Sequence, residues 1–204
     1  MAITSYSTLK TAIADWIDWT EGALALDTFI DLAEARIYRE LRLRFMESSL
    51  SVTIASGVAA LPSDFMEMKV AYLNTSPVQQ LEMRPLEWIY ATYPQRSSDS
   101  RPLYIARSGD NLEFGPYPDS TYSISGVYFA RPTALSASNE TNWLTTNAPD
   151  LLLYGSLAHS APYVGDDSRV VLWEAAYQDA KRQVVAQETK LRYPDQMSLR
   201  THVG

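Results

Sequence analysis

The spacing of apolar residues changes twice along the chain, and this change constrains the fold more than any other feature of the sequence. Apolar side chains recur at helical spacing near the N-terminus, alternate with polar ones from about residue 48, and return to helical spacing after residue 149. Helical spacing indicates amphipathic helices, and alternation indicates half-buried strands. The sequence therefore predicts an α+β protein in which helices at both ends bracket a strand-rich middle.

Two helices are predicted in residues 1–46. The first can take Ser5 or Ser7 as its N-cap, and the second can take Asp27. Their apolar stripes are Tyr6, Leu9, Ile13, Trp16 and Ile17 in the first helix, and Ile30, Ala33, Ile37, Leu41 and Phe45 in the second. Because the connection is short, the two helices are expected to form an antiparallel hairpin.

Residues 47–132 are predicted to form a β-rich insertion. Strand patterns occur at 50–54, 66–73, 78–83, 103–107, 112–114 and 122–128. A Gly109-Asp110 turn separates two of them, and a short helix begins after Pro85 and ends before Pro94. Their even spacing indicates an antiparallel meander, with the strand at 78–83 pairing back on the one before it.

The remaining residues are predicted to complete the helical part. Residues 133–148 form a connecting loop, residues 149–194 form two C-terminal helices, and residues 195–204 form a tail. The first of these helices is apolar almost all round and ends near Pro162. The second opens at Asp167 and Ser168, and its stripe is Val170, Trp173, Tyr177, Ala180, Val184 and Leu191. The expected fold is a four-helix-type bundle of N- and C-terminal helices with an inserted antiparallel β-sheet region.

Composition excludes several classes of protein. The chain has no cysteine, which excludes disulfides and thiolate metal sites and agrees with a reducing cytosol. The N-terminal residues do not resemble a secretory signal, and the uncharged stretch of residues 151–165 is shorter than a membrane span of roughly 20 residues. The formal net charge of −7 disfavours tight binding to a phosphate backbone. That charge is compatible with a protein surface that lines a passage for DNA without binding it.

The sequence shows no catalytic constellation. It has no phosphate-binding glycine loop, serine elbow or metal-ligand spacing, so neither enzymatic activity nor a cofactor is expected. His159 and His202 are far apart in sequence, and His159 is predicted to be a core histidine with a hydrogen-bond partner. Asp15 and Asp18 could serve as a carboxylate pair, but a solvated helix face explains them more simply.

Two groups of residues are candidates for contacts with other proteins. The second helix carries Arg36, Arg39, Arg42 and Arg44 among Asp31, Glu34 and Glu40. Binding to an acidic partner and a solvated helix face both remain open for these arginines. The chain also has 13 tyrosines and 5 tryptophans, residue types that favour interfaces. Trp16, Trp173 and Tyr177 are predicted to be core, whereas Tyr90, Tyr93, Tyr104, Tyr117 and Tyr193 are predicted to be exposed.

These segments together resemble the head-to-tail adaptor proteins of tailed bacteriophages. The resemblance rests on YSTLK at 6–10, FIDLAEARI at 29–37, LPSDF at 61–65, RP at 101–102, GPYP at 115–118, NWL at 142–144 and PDLLLYG at 149–155. It implies a ring of about twelve copies beneath the portal protein, linking the capsid to a downstream tail protein while genomic DNA passes through the lumen. It also implies a location in the virion neck, and in the host cytoplasm during assembly.

The resemblance also suggests interface residues. The C-terminal extension that would dock on the portal corresponds to the tail with Met197, Leu199 and Arg200. Portal or neighbour contacts are expected at Arg36, Arg39, Arg42 and Tyr193 as well, and contacts on the tail side at Tyr90, Tyr93, Tyr104 and Tyr117. Two alternatives stay open: a cell-wall glycan hydrolase using a pair such as Asp15 and Asp18, and a carbohydrate-binding module using exposed tyrosines.

Overall fold

The computed structural model describes residues 2–18, 23–54, 56–97, 99–164 and 168–192. These residues form helices and two small sheets, which confirms the predicted α+β class. The chain separates into two compact units. One, the helical unit, consists of Met1–Phe45 and Thr133–Gly204, and the other, the sheet unit, consists of Met46–Pro132.

Six α-helices occur within the described residues. They are α1 (Tyr6–Ile17), α2 (Ala23–Glu40), α3 (Leu86–Thr92), α4 (Trp143–Asn147), α5 (Pro149–Val164) and α6 (Val170–Arg192). A 3₁₀ turn covers Arg44–Met46. None of these helices is both long and apolar enough to cross a bilayer.

Helix α5 lies at the centre of the helical unit and packs against α1, α2, α4 and α6. Leu151, Leu152 and Leu157 are fully buried, as expected for a helix that is apolar almost all round. Gly155 permits this packing, because a Cβ there would lie 3.2 Å from the Cβ of Ala33 and 3.4 Å from the ring of Tyr177. The close approach of α2 and α6 to α5 therefore depends on a residue without a side chain.

The two N-terminal helices begin differently from each other. Ser5 caps α1, and its side chain and that of Thr8 form a capping box, which confirms one of the two predicted caps. The predicted cap Asp27 is wrong, because α2 already begins at Ala23 in a run of good helix formers. The Asp27 carboxylate instead accepts a 2.6 Å hydrogen bond from the Tyr6 hydroxyl and pairs with Lys10. Asp27 thus joins α2 to α1.

Other helix boundaries differ from the predictions in residues 133–148, which we call the return segment, and in the helices that follow it. Residues 133–148 were predicted to be a loop, but they contain the short helix α4, which is capped by Asn142. The sequence did not indicate this helix because five residues are too few to show a helical period. Helix α5 continues past Pro162 to Val164, where the lost hydrogen bond affects only the last turn. In α6, Trp173, Tyr177, Ala180 and Val184 are buried as predicted, whereas Leu191 is exposed.

The sheet unit contains two four-stranded sheets. The strands are β1 (Glu47–Thr53), β2 (Val58–Ala60), β3 (Phe65–Leu73), β4 (Gln79–Gln80), β5 (Glu82–Met83), β6 (Tyr104–Ser108), β7 (Asn111–Gly115) and β8 (Ser123–Ala130). Their orders are β1-β8-β3-β4 and β2-β7-β6-β5. All pairs are antiparallel except β5 and β6, which are parallel, so the antiparallel prediction holds for the other pairs.

The predicted meander is wrong beyond the β6–β7 hairpin, whose turn contains Gly109 as expected. Strand β8 inserts between β1 and β3, a long-range pairing that leaves no local trace in the sequence. The predicted strand at 78–83 is divided between the sheets: β4 pairs with β3, and β5 pairs with β6. Between them, the Leu81 N–H donates to the Ala71 carbonyl at 2.9 Å. This segment therefore passes from one sheet to the other.

One apolar core fills the sheet unit and draws on both sheets. Phe114, Leu73, Ile105 and Ile124 are among its fully buried members. Strands β8 and β3 approach each other closely at Gly126. An added Cβ there would lie 2.4 Å from the backbone oxygen of Val70, which adjoins a register shift in β3. The sheet pairing at this point requires glycine.

Candidate interaction surfaces

The arginines of α2 have different environments. Arg36 is half-buried; its Nε donates to Glu40 at 3.0 Å, and its two terminal nitrogens donate to both carboxylate oxygens of Glu174. Its guanidinium also lies 4.0 Å from the centroid of the Tyr177 ring. This set of contacts within the chain occupies the guanidinium and joins α2 to α6.

The other arginines of this row lie at or beyond the end of α2. Arg39 is exposed. Arg42 donates from Nη1 to the carbonyls of Tyr38 and Leu41, at 2.6 and 2.9 Å, and so satisfies backbone acceptors at the helix C-terminus. Arg44 is exposed, and its backbone N–H donates to Glu188 at 3.1 Å. The predicted interface residues Tyr193, Met197, Leu199 and Arg200 lie outside the described residues.

Glu34 is a buried residue that stabilises the helical unit, whereas the sequence pattern predicted it to be part of a solvated charge pattern. It is 2% exposed and accepts three hydrogen bonds, from the Leu135 N–H at 3.0 Å, the Asn142 amide at 2.8 Å and the Tyr38 hydroxyl at 3.2 Å. Burial raises the pKa of this carboxyl. A signal was present, because Glu34 falls within the apolar stripe, four residues after Ile30.

A second carboxylate holds the same return segment to α1. The Glu140 side chain accepts from the N–H and the hydroxyl of Ser7, at 3.0 and 2.9 Å, and its carbonyl accepts from the Tyr6 N–H at 2.7 Å. Anions at a helix N-terminus are favoured by the unpaired N–H groups there. Glu34 and Glu140 together fix residues 135–142 against α2 and α1.

Three of the four predicted tail-side tyrosines are half-buried rather than exposed. Helix α3 packs on β6 and β7, which brings Trp88 to 4.8 Å from Tyr104 and 6.1 Å from Tyr93 between ring centroids. Burial is the main cause that raises the pKa of Tyr93. The same packing explains Gly115, where a Cβ would lie 2.9 Å from the Tyr93 ring. Sequence spacing could not reveal that this helix would cover the sheet.

Tyr90 is exposed, as predicted, and shares an arginine with Tyr117. The guanidinium of Arg96 lies 4.8 Å from the centroid of the Tyr90 ring and 5.2 Å from that of Tyr117. Arg96 also donates to the Phe114 carbonyl at 2.8 Å and to Glu113 at 3.2 Å, and the Tyr90 hydroxyl donates to the same Glu113 oxygen. One cation therefore contacts both Tyr90 and Tyr117 at this surface.

The residues considered for catalysis are dispersed. Asp15 and Asp18 are exposed, and Asp18 ends α1 in a left-handed conformation. The Nε2 atom of His159 is buried without a hydrogen-bond partner among the described residues, so the predicted partner is absent there. Within those residues no three His, Asp or Glu side chains are grouped as metal ligands would be.

An apolar surface at the start of α6 was not predicted. Val171 and Leu172 are 76% and 68% exposed, and Trp16, predicted to be core, is 45% exposed. Trp16 and Leu172 line a common groove of about 370 Å³, and Arg169 donates to the Trp16 carbonyl at 3.0 Å. Helix α1 ends at Ile17, one residue after Trp16.

Comparison with known proteins identifies the family. No curated protein sequence matches the chain. The sequence model of the family described as SU10 adaptor protein matches residues 4–200, nearly the whole chain. This match confirms the resemblance to bacteriophage head-to-tail adaptors. The chain belongs to the SU10 adaptor protein family and is a bacteriophage adaptor protein.

Proposed function

We propose that this chain is a structural subunit of the virion neck, which forms a ring of about twelve copies under the portal protein and links the capsid to the tail. The observation that carries the proposal is the family match over residues 4–200. In this proposal α1, α2, α5 and α6 form a four-helix-type bundle, and the subunit has no catalytic role. It acts by binding the portal, its own copies and a downstream tail protein.

The helical unit is proposed to contact the portal and neighbouring copies. Arg39 and Arg42 lie at the end of α2 and can face an acidic partner, with the tail residues Tyr193, Met197, Leu199 and Arg200 as further contacts. Arg36 has a different part in this scheme. It holds α2 against α6 through Glu174 and so keeps the neighbouring arginines in position.

The sheet unit is proposed to contact the downstream tail protein through the surface around α3. Tyr90 and its half-buried neighbours Tyr93, Tyr104 and Tyr117 form this surface. Tyrosine suits such a contact, because its ring buries apolar area and its hydroxyl finds a polar partner. The rings are already fixed by Trp88 and Arg96, so little side-chain entropy remains to be lost on binding.

Genomic DNA is proposed to pass through the lumen without being held. The formal charge of −7 per chain supports this idea, because a ring of such chains repels phosphates. Sequence-specific binding of DNA would instead require a basic surface.

The test is a mass measurement of the purified chain with its portal protein, followed by electron microscopy of the complex. A ring of the chain on the portal supports the proposal. An Arg39→Glu variant is expected to weaken portal binding, whereas Asp179→Lys, on the exposed side of α6, serves as a control. Failure of the chain to bind the portal under any condition would overturn the proposal.

A further inference from the structure

The sheet unit has one long open strand edge. Strand β1 pairs with β8 on one side, and within the part of the chain that the structure describes no strand pairs with its other side. The Ile54 N–H donates to the Tyr122 carbonyl at 2.8 Å, which sets the phase of the hydrogen bonds along β1. By alternation, the N–H and carbonyl groups of Ser49, Ser51 and Thr53 point away from β8. All three residues are exposed, so their backbone groups are a template for a further strand.

The edge at β1 differs from the other edges of the two sheets. Strands β2, β4 and β5 have only two or three residues each, and Pro77 precedes β4 while Pro85 follows β5. Strand β1 has seven residues in an unbroken register, and its residues 48–53 include no proline, glycine or charged side chain. Short strands, prolines and charges are the usual protection of a sheet edge against pairing. The lack of that protection along β1 indicates that another strand covers it.

Residues 197–203 have the pattern that such a strand needs. They follow α6 and lie outside the described residues. Met197, Leu199 and Val203 are apolar, and the even-numbered residues between them are polar. The segment is as long as β1 and has no proline or glycine. Strand β1 buries one face through Leu50, so beside it the apolar row of the segment would extend a buried face and the polar row an exposed one.

We propose that residues 197–203 of one copy add as a further strand to the open edge of β1 in the next copy. Hydrogen bonds to the backbone of Ser49, Ser51 and Thr53 supply the affinity, and the alternation of the segment decides which of its faces is buried. The occupant is a second copy because such an arm joins different surfaces of two copies, and contacts of that kind close into rings. This inference rests on the proposed ring, for which it supplies a contact between subunits.

The absence of cysteine allows a direct test by disulfide trapping. Ser51→Cys and Arg200→Cys, in separate chains, place single thiols near the middle of the two strands and on the polar face of each. The chains are mixed under mild oxidation, with and without the portal protein, and the mixed disulfide is expected to form in at least one of these conditions. Ser97→Cys, the same substitution at an exposed position outside β1, replaces Ser51→Cys in the matched control. An equally fast control, or Ser51→Cys homodimers forming as fast as the mixed product, would overturn the proposal.

The addition of a strand also predicts alternation along the segment. Thr201→Cys should be trapped by Ser51→Cys several times more slowly than Arg200→Cys, because neighbouring residues of a strand point to opposite faces. Equal rates at the two positions would contradict a strand. A single chain that carries both Ser51→Cys and Arg200→Cys tests the choice of copy. Linked oligomers are expected from it, and a disulfide within one chain as the main product would refute docking on a second copy.

A proline at the open edge provides an independent measurement. Ser49→Pro removes an N–H that points away from β8, so the pairing of β1 with β8 and the thermal stability should stay close to those of Ser49→Ala. In the Ser51→Cys chain, Ser49→Pro should slow trapping by Arg200→Cys about tenfold, because one or two hydrogen bonds between the strands are lost. Ser49→Ala should leave the rate unchanged, and equal rates for the two variants would contradict backbone pairing at this edge.

Portal binding is measured separately, by the mass of the complex. A chain that binds the portal but shows none of this trapping refutes the contact and leaves the proposed function standing. Trapping without portal binding does the reverse.

Discussion

The guanidinium of Arg36 donates to both carboxylate oxygens of Glu174, at 2.8 and 2.5 Å, and so links α2 to α6 with a two-pronged contact. Planar, paired contacts of this kind are among the stronger ion pairs at protein surfaces. The hydrogen bonds from Arg36 are the main reason that the pKa of Glu174 is lowered from 4.5 to about 2.

Glu174→Gln is expected to reduce the stability of the helical unit at neutral pH by about 1 kcal/mol, a small value because the carboxylate is partly exposed. The lowered pKa means that this stabilisation is present above about pH 4.5 and is lost as the pH falls towards 2. Urea unfolding followed by helical circular dichroism at several pH values measures the difference. Glu87→Gln, at an exposed position of the sheet unit, is the control. A difference that stays constant down to pH 2 would contradict the assignment.

Glu34→Gln is expected to destabilise the helical unit by about 1–3 kcal/mol at pH 7. Three donors reach the Glu34 carboxylate, and in the variant one of them would face the amide NH₂ group, which cannot accept a hydrogen bond. Burial raises the pKa of Glu34, so the folded chain binds a proton more readily than the unfolded chain. The wild type should therefore gain stability relative to the variant as the pH falls through the folded pKa towards 4.5.

The matched control for Glu34 is Asp31→Asn, an exposed acid one turn earlier on α2. It should change the free energy of unfolding little, as is usual for exposed positions. A stability gap between wild type and Glu34→Gln that narrows on acidification would show that the carboxyl is not protonated more readily in the folded chain.

Gly126→Ala is expected to cost about 3 kcal/mol or more, because the new Cβ would lie 2.4 Å from a backbone oxygen that cannot move without displacing β3. Gly109→Ala provides the comparison. Its φ is +61°, but a Cβ there has open space, so only conformational strain of about 1–2 kcal/mol is expected. Thermal unfolding of the two variants separates steric clash from backbone strain, and equal losses would refute the clash.

Arg96→Lys is expected to destabilise the sheet unit by about 1–2 kcal/mol, although the charge is kept. A lysine cannot lie flat between the rings of Tyr90 and Tyr117 while also reaching Glu113 and the Phe114 carbonyl. Near-ultraviolet circular dichroism should show the change in the tyrosine environment. Arg101→Lys, at an exposed position, is the control and should leave that spectrum unaltered. A spectral change of similar size in Arg101→Lys would contradict a specific role for Arg96.

The sequence predicted those parts of the fold that depend on local pattern. The capped start of α1, the apolar character of α5 and the buried stripe around Trp173 and Tyr177 all follow from residue spacing. What spacing could not predict is the pairing of β8 between β1 and β3, because strand order is decided by contacts far apart in the chain. The classification as α+β could thus be reached without the order of the strands.

The candidate surfaces show the same division. The sequence shows which residues are charged or aromatic, but it does not show which of them are exposed, because exposure depends on the elements that pack over them. Tyr104 packs against Trp88 of α3, whereas Trp16, close to the end of α1, is 45% exposed. Glu34 was the least predictable, since a carboxylate in an apolar stripe is tolerated only when several donors from a distant segment reach it.

The helical unit is assembled from both ends of the chain, and this has a consequence for biosynthesis. The sheet unit spans Met46–Pro132, so its residues are all synthesised before the ribosome begins α5. At about 10 residues per second, α1 and α2 wait roughly 10 s for the helix that buries their apolar faces. During this interval Ile30 and Ile37, fully buried in the finished chain, lack their partner and are open to chaperones. The helical unit therefore completes its fold only after α5 and α6 have been synthesised.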